Sequence, residues 1–154
     1  MTNNNDQFLQ EALRIIAESE QNQTPVRLLG GMAVYLTSPC ARSHPYSREI
    51  NDLDFVVSKK KAYTFEKLLE KIGYKGDHEF NSIHGEYRLL FRSELIELDI
   101  FSGEFVQCHS MNLDRHIATT TITIPLSILL LTKLQIVQIN EKDILDVLAL
   151  IHDQ

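Results

Sequence analysis

The sequence predicts an α/β (α+β) fold in which a mixed β-sheet is flanked by helices and followed by a C-terminal helical pair. Three observations carry this expectation. In the first half of the chain, short apolar runs rich in β-branched residues alternate with segments of helical period. A hairpin signal follows in "EYRLLF" (86–91) and "LIELDIF" (95–101), joined by "RSE". Beyond Pro125 the period is helical throughout.

Residues 6–20, "DQFLQEALRIIAESE", place Phe8, Leu9, Leu13, Ile16 and Ala17 at helical spacing among acids and Gln, which predicts an amphipathic N-terminal helix. "QNQTP" breaks it, and "VRLLGG" reads as a short strand entering a glycine turn before the helix "MAVYL". "TSPCARSHPYS" (37–47), with two prolines and three serines, reads as a long loop. "LDFVV" is then a strand, and "KKKAYTFEKLLEKIGY" a helix whose apolar face is Ala62, Phe65, Leu68, Leu69 and Ile72, closed by Gly73. "IATTTITI" (117–124) is β-branched and predicts one more short strand. "LSILLLTKLQIVQI" and "EKDILDVLALI" complete the chain as two helices. The expected organisation is one domain over 1–154, with an N-terminal helix at 6–20, a core at 26–124 and C-terminal helices at 126–152.

Net charge is −6, the wrong sign for a protein that grips a nucleic-acid backbone by charge alone. The one basic run, Lys59-Lys60-Lys61, reads as the solvated start of a helix. Cys40 and Cys108 are far apart and match no zinc spacing, so they read as reduced thiols. The polar start has no apolar signal region, and Lys133 interrupts the most apolar stretch, so the expectation is a soluble, cytoplasmic protein without a membrane partner.

The chemistry concentrates in the carboxylates. In "NDLDFVV" a strand's period of two puts Asp52 and Asp54 on one face and Leu53 and Phe55 on the other. "IELDIF" repeats the arrangement with Glu97 and Asp99. Like charges this close need water, a cation or a metal, and a divalent ion such as Mg²⁺ takes hard oxygen ligands from such clusters together with phosphate oxygens. Upstream, Gly30-Gly31 at a strand-to-helix junction offers backbone N–H groups to a phosphate. Alone, each feature has a plainer reading. An Asp-x-Asp pair decorates many strand ends, Glu97 reads as a solvated or Arg-paired acid, Lys133 can snorkel from an apolar helix, and Asp143 and Asp146 can be helix acids favoured by the dipole.

Taken in order, the glycine pair, the hydrophobic-Asp-hydrophobic-Asp-hydrophobic strand and a third acid on a later strand resemble the DNA polymerase β-like nucleotidyltransferase superfamily. More narrowly, "LLGGMAVYL", "REINDLDFVV" and "KLQ...KDILDVLAL" resemble minimal nucleotidyltransferases related to the abortive-infection (AbiEii-type) toxins, over about residues 26 to 151. The resemblance implies the nucleotidyltransferase fold and transfer of a nucleoside monophosphate from a nucleoside triphosphate to an acceptor hydroxyl or phosphate, with pyrophosphate release. It implies Mg²⁺, or Mn²⁺ in its place, held by Asp52, Asp54 and Asp99, with Asp99 activating the acceptor or completing a metal shell. Gly30 and Gly31 would shape the triphosphate loop, Arg48 and Lys133 would meet phosphates, and Asp143 and Asp146 would match the closing acidic motif of the nucleotide site. The acceptor would be a tRNA end, a protein or a small molecule. An inactive nucleotide-binding module, partnered by an antitoxin or another protein, is the competing expectation. Three departures stand out: Gly-Gly occupies a place where the superfamily often has Gly-Ser, the stretch between Gly31 and Asp52 is longer than the common spacing because of "TSPCARSHPYS", and Ile50 stands at a polar position two before the first Asp.

Overall fold

The structure is a computed structural model that describes residues 4–118 and 121–153. It opens with helix α1 (Asn4–Gln21), followed by β1 (Val26–Leu29) and α2 (Gly30–Thr37). Strand β2 (Asp52–Val57), α3 (Ala62–Lys71), β3 (Lys75–Gly76) and α4 (His78–His84) lead to the hairpin β4 (Arg88–Arg92) and β5 (Glu97–Ser102). A small second hairpin, β6 (Glu104–Val106) with β7 (Ser110–Asn112), precedes α5 (Asp114–Ile117), α6 (Leu126–Leu134) and α7 (Glu141–His152).

Five strands form one mixed sheet in the order β1-β2-β5-β4-β3. β2 and β5 lie parallel at its centre, and the other pairings are antiparallel. Position two in the alternation decides everything that follows. Leu53, Phe55, Leu98, Ile100 and Leu28 are wholly buried on one side, where Phe55 meets Phe65 of α3 edge to face at 6.4 Å. Asp52, Asp54 and Asp99 alternate to the opposite side, the side of the cleft described below.

Several expectations are corrected. The buried face of α1 is Asn5, Phe8, Ala12, Ile15, Ile16 and Ser19, whereas Ala17 is exposed. The face is rotated because Asn5, a polar residue outside the apolar period, is drawn inward: its amide donates to the Arg48 carbonyl at 2.8 Å and its Oδ1 accepts from the Ile50 N–H at 2.9 Å. The loop at 37–47 contains a 3-10 turn at Pro39–Arg42. The strand expected at 117–124 is reduced, among the described residues, to a single bridge of Thr123 with Leu28 on the sheet edge. Ile117 closes a helical turn instead, and residues 119 and 120 lie outside the described residues. The helix begun at Leu126 stops at Leu134, ahead of a β-branched run and of Asn140, which caps the next helix. Among the described residues no helix is long and apolar enough to cross a membrane.

Candidate active site

Strand β1 runs into α2 without an intervening loop. Leu29 is extended, with φ −134° and ψ −168°, and Gly30 turns the chain at φ +67°. Two constraints make this position glycine. The left-handed conformation disfavours a side chain, and a Cβ built on Gly30 would lie 1.8 Å from Asp54 Oδ2. The backbone of the turn therefore rests directly on a carboxylate of the neighbouring strand, where Leu29 and Asp54 are register partners. No side chain caps α2, so its first N–H groups and the positive end of its dipole are left for a ligand at the cleft wall.

Gly31 is constrained differently: a Cβ there would lie 2.1 Å from Arg48 Nη2. The guanidinium fills the space that a side chain at residue 31 would take. A Gly31→Ala variant is expected to push Arg48 off its partner and lose about 1–3 kcal/mol of stability, measurable as a lowered urea midpoint with unchanged slope.

Asp52 is exposed at the start of β2, Asp54 lies deeper, and Asp99 is buried as the parallel register partner of Asp54. Among the described residues, the Asp52 and Asp54 carboxylates make no hydrogen bond or ion pair. Burial first, then the charges of Asp52 and Asp99, push the Asp54 carboxyl well above the ordinary carboxylate range. Asp99 is also raised by burial, against the opposing pull of Arg88. Arg88 Nε donates to both oxygens of Asp99, at 2.7 and 3.0 Å, and its Nη2 makes a further short contact with Oδ2. The rings of Phe80 and Phe101 hold that guanidinium in place, at 5.7 and 5.6 Å.

The structure does not draw Asp52, Asp54 and Asp99 into the 4.8 Å mutual spacing of ligands on one ion. Asp99 is instead paired with Arg88, and like charges repel at closer range. The donor set nevertheless fits a divalent cation: two hard carboxylates without a hydrogen-bonding partner line the cleft, one of them pushed toward its neutral form by burial and by the neighbouring acids.

Of the two cations expected to meet phosphate, α6 supplies Lys133, the stretch before β2 supplies Arg48, and acids of α7 hold both. Asp146 receives Arg48 in a two-bonded pair, Nε to Oδ1 and Nη2 to Oδ2, both at 2.7 Å. Its Oδ2 also lies 2.8 Å from Lys133 Nζ. Asp143 pairs with Lys133 at 3.3 Å while forming the third-residue half of a capping box with Asn140 at the start of α7. Lys133 is therefore a buried, doubly paired lysine and does not snorkel. Burial opposes the charge on Arg48 and on Lys133, and in both Asp146 together with the neighbouring acids outweighs it, so each stays firmly protonated. The carboxylates of Asp143 and Asp146 are turned onto these cations.

Gly30, Gly31, Arg48, Asp52, Asp54, Asp99, Lys133 and Asp143 line one cleft of about 380 Å³, and Asp146 stands behind it. Its walls also hold Asn51, Arg88, Phe101, Phe105, Gln107 and Lys142, which sequence reasoning did not select. For Arg88 a signal existed, since the hairpin register sets it on the same face as Asp99. For Asn5, which pins the backbone on both sides of Glu49 from 43 residues away, there was none.

Solved structures share this fold. No curated protein matches the chain. Among solved structures, a lincosamide antibiotic adenylyltransferase, LnuA, with lincomycin bound, superposes with a TM-score of 0.65 at 20% identity, over 94% of this chain and 97% of that one. ANT(2")-Ia in complex with adenylyl-2"-tobramycin superposes with a TM-score of 0.60 at 13% identity, over 95% and 88%. A solution structure of the antibiotic-resistance factor ANT(2'')-Ia gives 0.63 at 14%, over 96% and 84%. These likenesses establish a shared nucleotidyltransferase-like fold. The family described as "Uncharacterised nucleotidyltransferase" matches residues 1–149, so the chain belongs to that family and is an enzyme of the nucleotidyltransferase type.

Proposed function

We propose that the chain, acting as one domain, transfers a nucleoside monophosphate from a nucleoside triphosphate to a hydroxyl on a small-molecule acceptor. The observation that carries this reading is the convergence of unpartnered Asp52 and Asp54 on the uncapped start of α2, across a glycine that touches Asp54. In this reading the α2 N–H groups cradle the terminal phosphates, with Arg48 beside Gly31 and Lys133 on the same cleft adding positive charge. Asp52 and Asp54, with Asp99 beside them, would hold Mg²⁺, or Mn²⁺ in its place, which when bound neutralises charge on the phosphates. The acceptor oxygen forms a bond to the α-phosphorus, the bond from that phosphorus to the bridging oxygen breaks, and pyrophosphate leaves. Asp99, aimed by Arg88, takes the hydroxyl proton.

A small acceptor is supported by the size of the cleft, by the apolar patch of Phe101, Phe105 and Ile136 on its wall, and by the substrates named for the fold's antibiotic-modifying relatives. ATP is the first donor to test. The assay follows labelled nucleotide from ATP into the small-molecule and macromolecular fractions of a cell extract, with pyrophosphate measured in parallel. Label in the small-molecule fraction, lost in an Asp52→Asn/Asp54→Asn double variant that still folds, is the expected result. Label in tRNA or protein would favour the toxin-like reading, with its antitoxin partner. Unchanged turnover in the double variant would refute the site.

A further inference from the structure

A second constellation of ligating side chains lies on the surface, away from the cleft. Cys40 sits in the 3-10 turn that follows α2, and His152 and Asp153 close α7. One ligand atom from each of the three, a thiol sulfur, an imidazole nitrogen and a carboxylate oxygen, lies within 4.8 Å of the other two. This is the spacing that Asp52, Asp54 and Asp99 do not reach. The three residues are held there by contacts of their own. Asp153 Oδ2 accepts the Cys40 N–H at 3.0 Å, which fixes the carboxylate against the turn. Its Oδ1 stands 3.1 Å from His152 Nδ1, and the Tyr46 ring, 5.3 Å away, packs against the imidazole. The Cys40 thiol points at the Ala149 carbonyl at 3.6 Å, a weak hydrogen bond that costs little to give up.

We propose that Cys40, His152 and Asp153 form a Zn²⁺ site that fastens the end of α7 to the turn after α2. The ligand chemistry selects the ion. A thiolate and an imidazole suit Zn²⁺, and three protein ligands leave its fourth tetrahedral position to water. Mg²⁺ takes oxygen ligands and is excluded by the sulfur. The His152 side chain is 58% exposed, so an ion reaches the site from solution. Binding releases the thiol proton, which burial and then Asp153 hold on sulfur in the metal-free protein. The site is distinct from the cleft. Asp146 lies six residues before His152 on α7, roughly 9 Å along the helix axis. The ion would stabilise the helix whose other end carries Asp143 and Asp146, so its effect is on rigidity and not on phosphate chemistry.

Co²⁺ reports on the site spectroscopically, because a thiolate ligand gives a near-ultraviolet charge-transfer band that oxygen ligands cannot give. The titration is made in a Cys108→Ser background, which removes the exposed second thiol. The expected result is a thiolate band saturating at one equivalent, displaced by Zn²⁺ and untouched by Mg²⁺, with a rise in melting temperature on adding Zn²⁺. Cys40→Ser is expected to abolish the band. His152→Ala, at an exposed position where folding is not at risk, is expected to weaken Co²⁺ binding by about tenfold or more. No thiolate band in the Cys108→Ser protein, or undiminished Co²⁺ affinity in His152→Ala, overturns the proposal.

Discussion

Replacing Asp146 by Ala is expected to lower the folding stability by roughly 3 kcal/mol, the lower end of the range for breaking a buried ion pair from one side. Asp146 is buried, with its side chain 5% exposed, and is the shared partner of Arg48 and Lys133, whose side chains are 15% and 11% exposed. Its removal leaves the Arg48 guanidinium with no ion-paired carboxylate and the Lys133 ammonium with only the Asp143 pair at 3.3 Å. For a chain of this length such a loss corresponds to roughly 6–12 °C in melting temperature. Thermal unfolding at neutral pH checks it. A fall of less than about 1 kcal/mol would mean that water already solvates these cations.

The same variant separates structure from function. With Asp146 gone, Arg48 loses its paired carboxylate and Lys133 keeps only Asp143, and a triphosphate can provide the missing charge. ATP without added metal should therefore raise the melting temperature of Asp146→Ala more than that of the unmodified chain. If the two respond equally, Arg48 and Lys133 do not face the triphosphate.

The elements that build the sheet were legible because each was decided locally. The alternation in "DLDFVV" and "ELDIF" survives in β2 and β5 because one face of each strand is fully buried, and a slip of one residue would send Phe55 and Ile100 into the cleft. The same alternation brought Asp54 and Asp99 together as parallel partners. What remained hidden depended on contacts distant in sequence. Apolar period alone misplaced the buried face of α1, because Asn5 turns inward to reach Arg48 and Ile50. "IATTTITI" has strand composition, yet its described residues find only the edge of β1 at Leu28 and contribute one bridge. Arg48 and Lys133 were visible as cations, but not their common attachment to Asp146, which joins residues 98 positions apart. Arg88 was passed over because a lone basic residue on a strand is ordinary until the register shows which acid it faces.

Asp54→Asn is expected to move activity and stability in opposite directions. Activity should fall by roughly three orders of magnitude or more, because an amide cannot supply the negative charge that holds a divalent cation against the phosphates. The metal-free fold should become more stable by about 1 kcal/mol, as happens when a functional site is relieved of an unfavourable charge. Asn has nearly the shape of Asp, so the contact with Gly30 is retained while the burial of an unpartnered carboxylate is removed. The pH dependence distinguishes this from a packing effect. Burial raises the folded-state pKa of Asp54 above its unfolded value. Its protonated form therefore supports the fold fully below the unfolded value near 4, and that support is lost as pH rises through the raised folded value. The gain from Asp54→Asn should accordingly vanish in acid and reach its full size only above the raised value. Melting curves in chelator across that range, compared with Asp52→Asn at the exposed end of the same strand, give the test. A gain independent of pH would show that shape, and not charge, made the difference. A loss of stability at neutral pH would show that Asp54 is held as a carboxylate by the α2 N-terminus, in which case the cleft is built to favour an anion at that position and not a cation beside it.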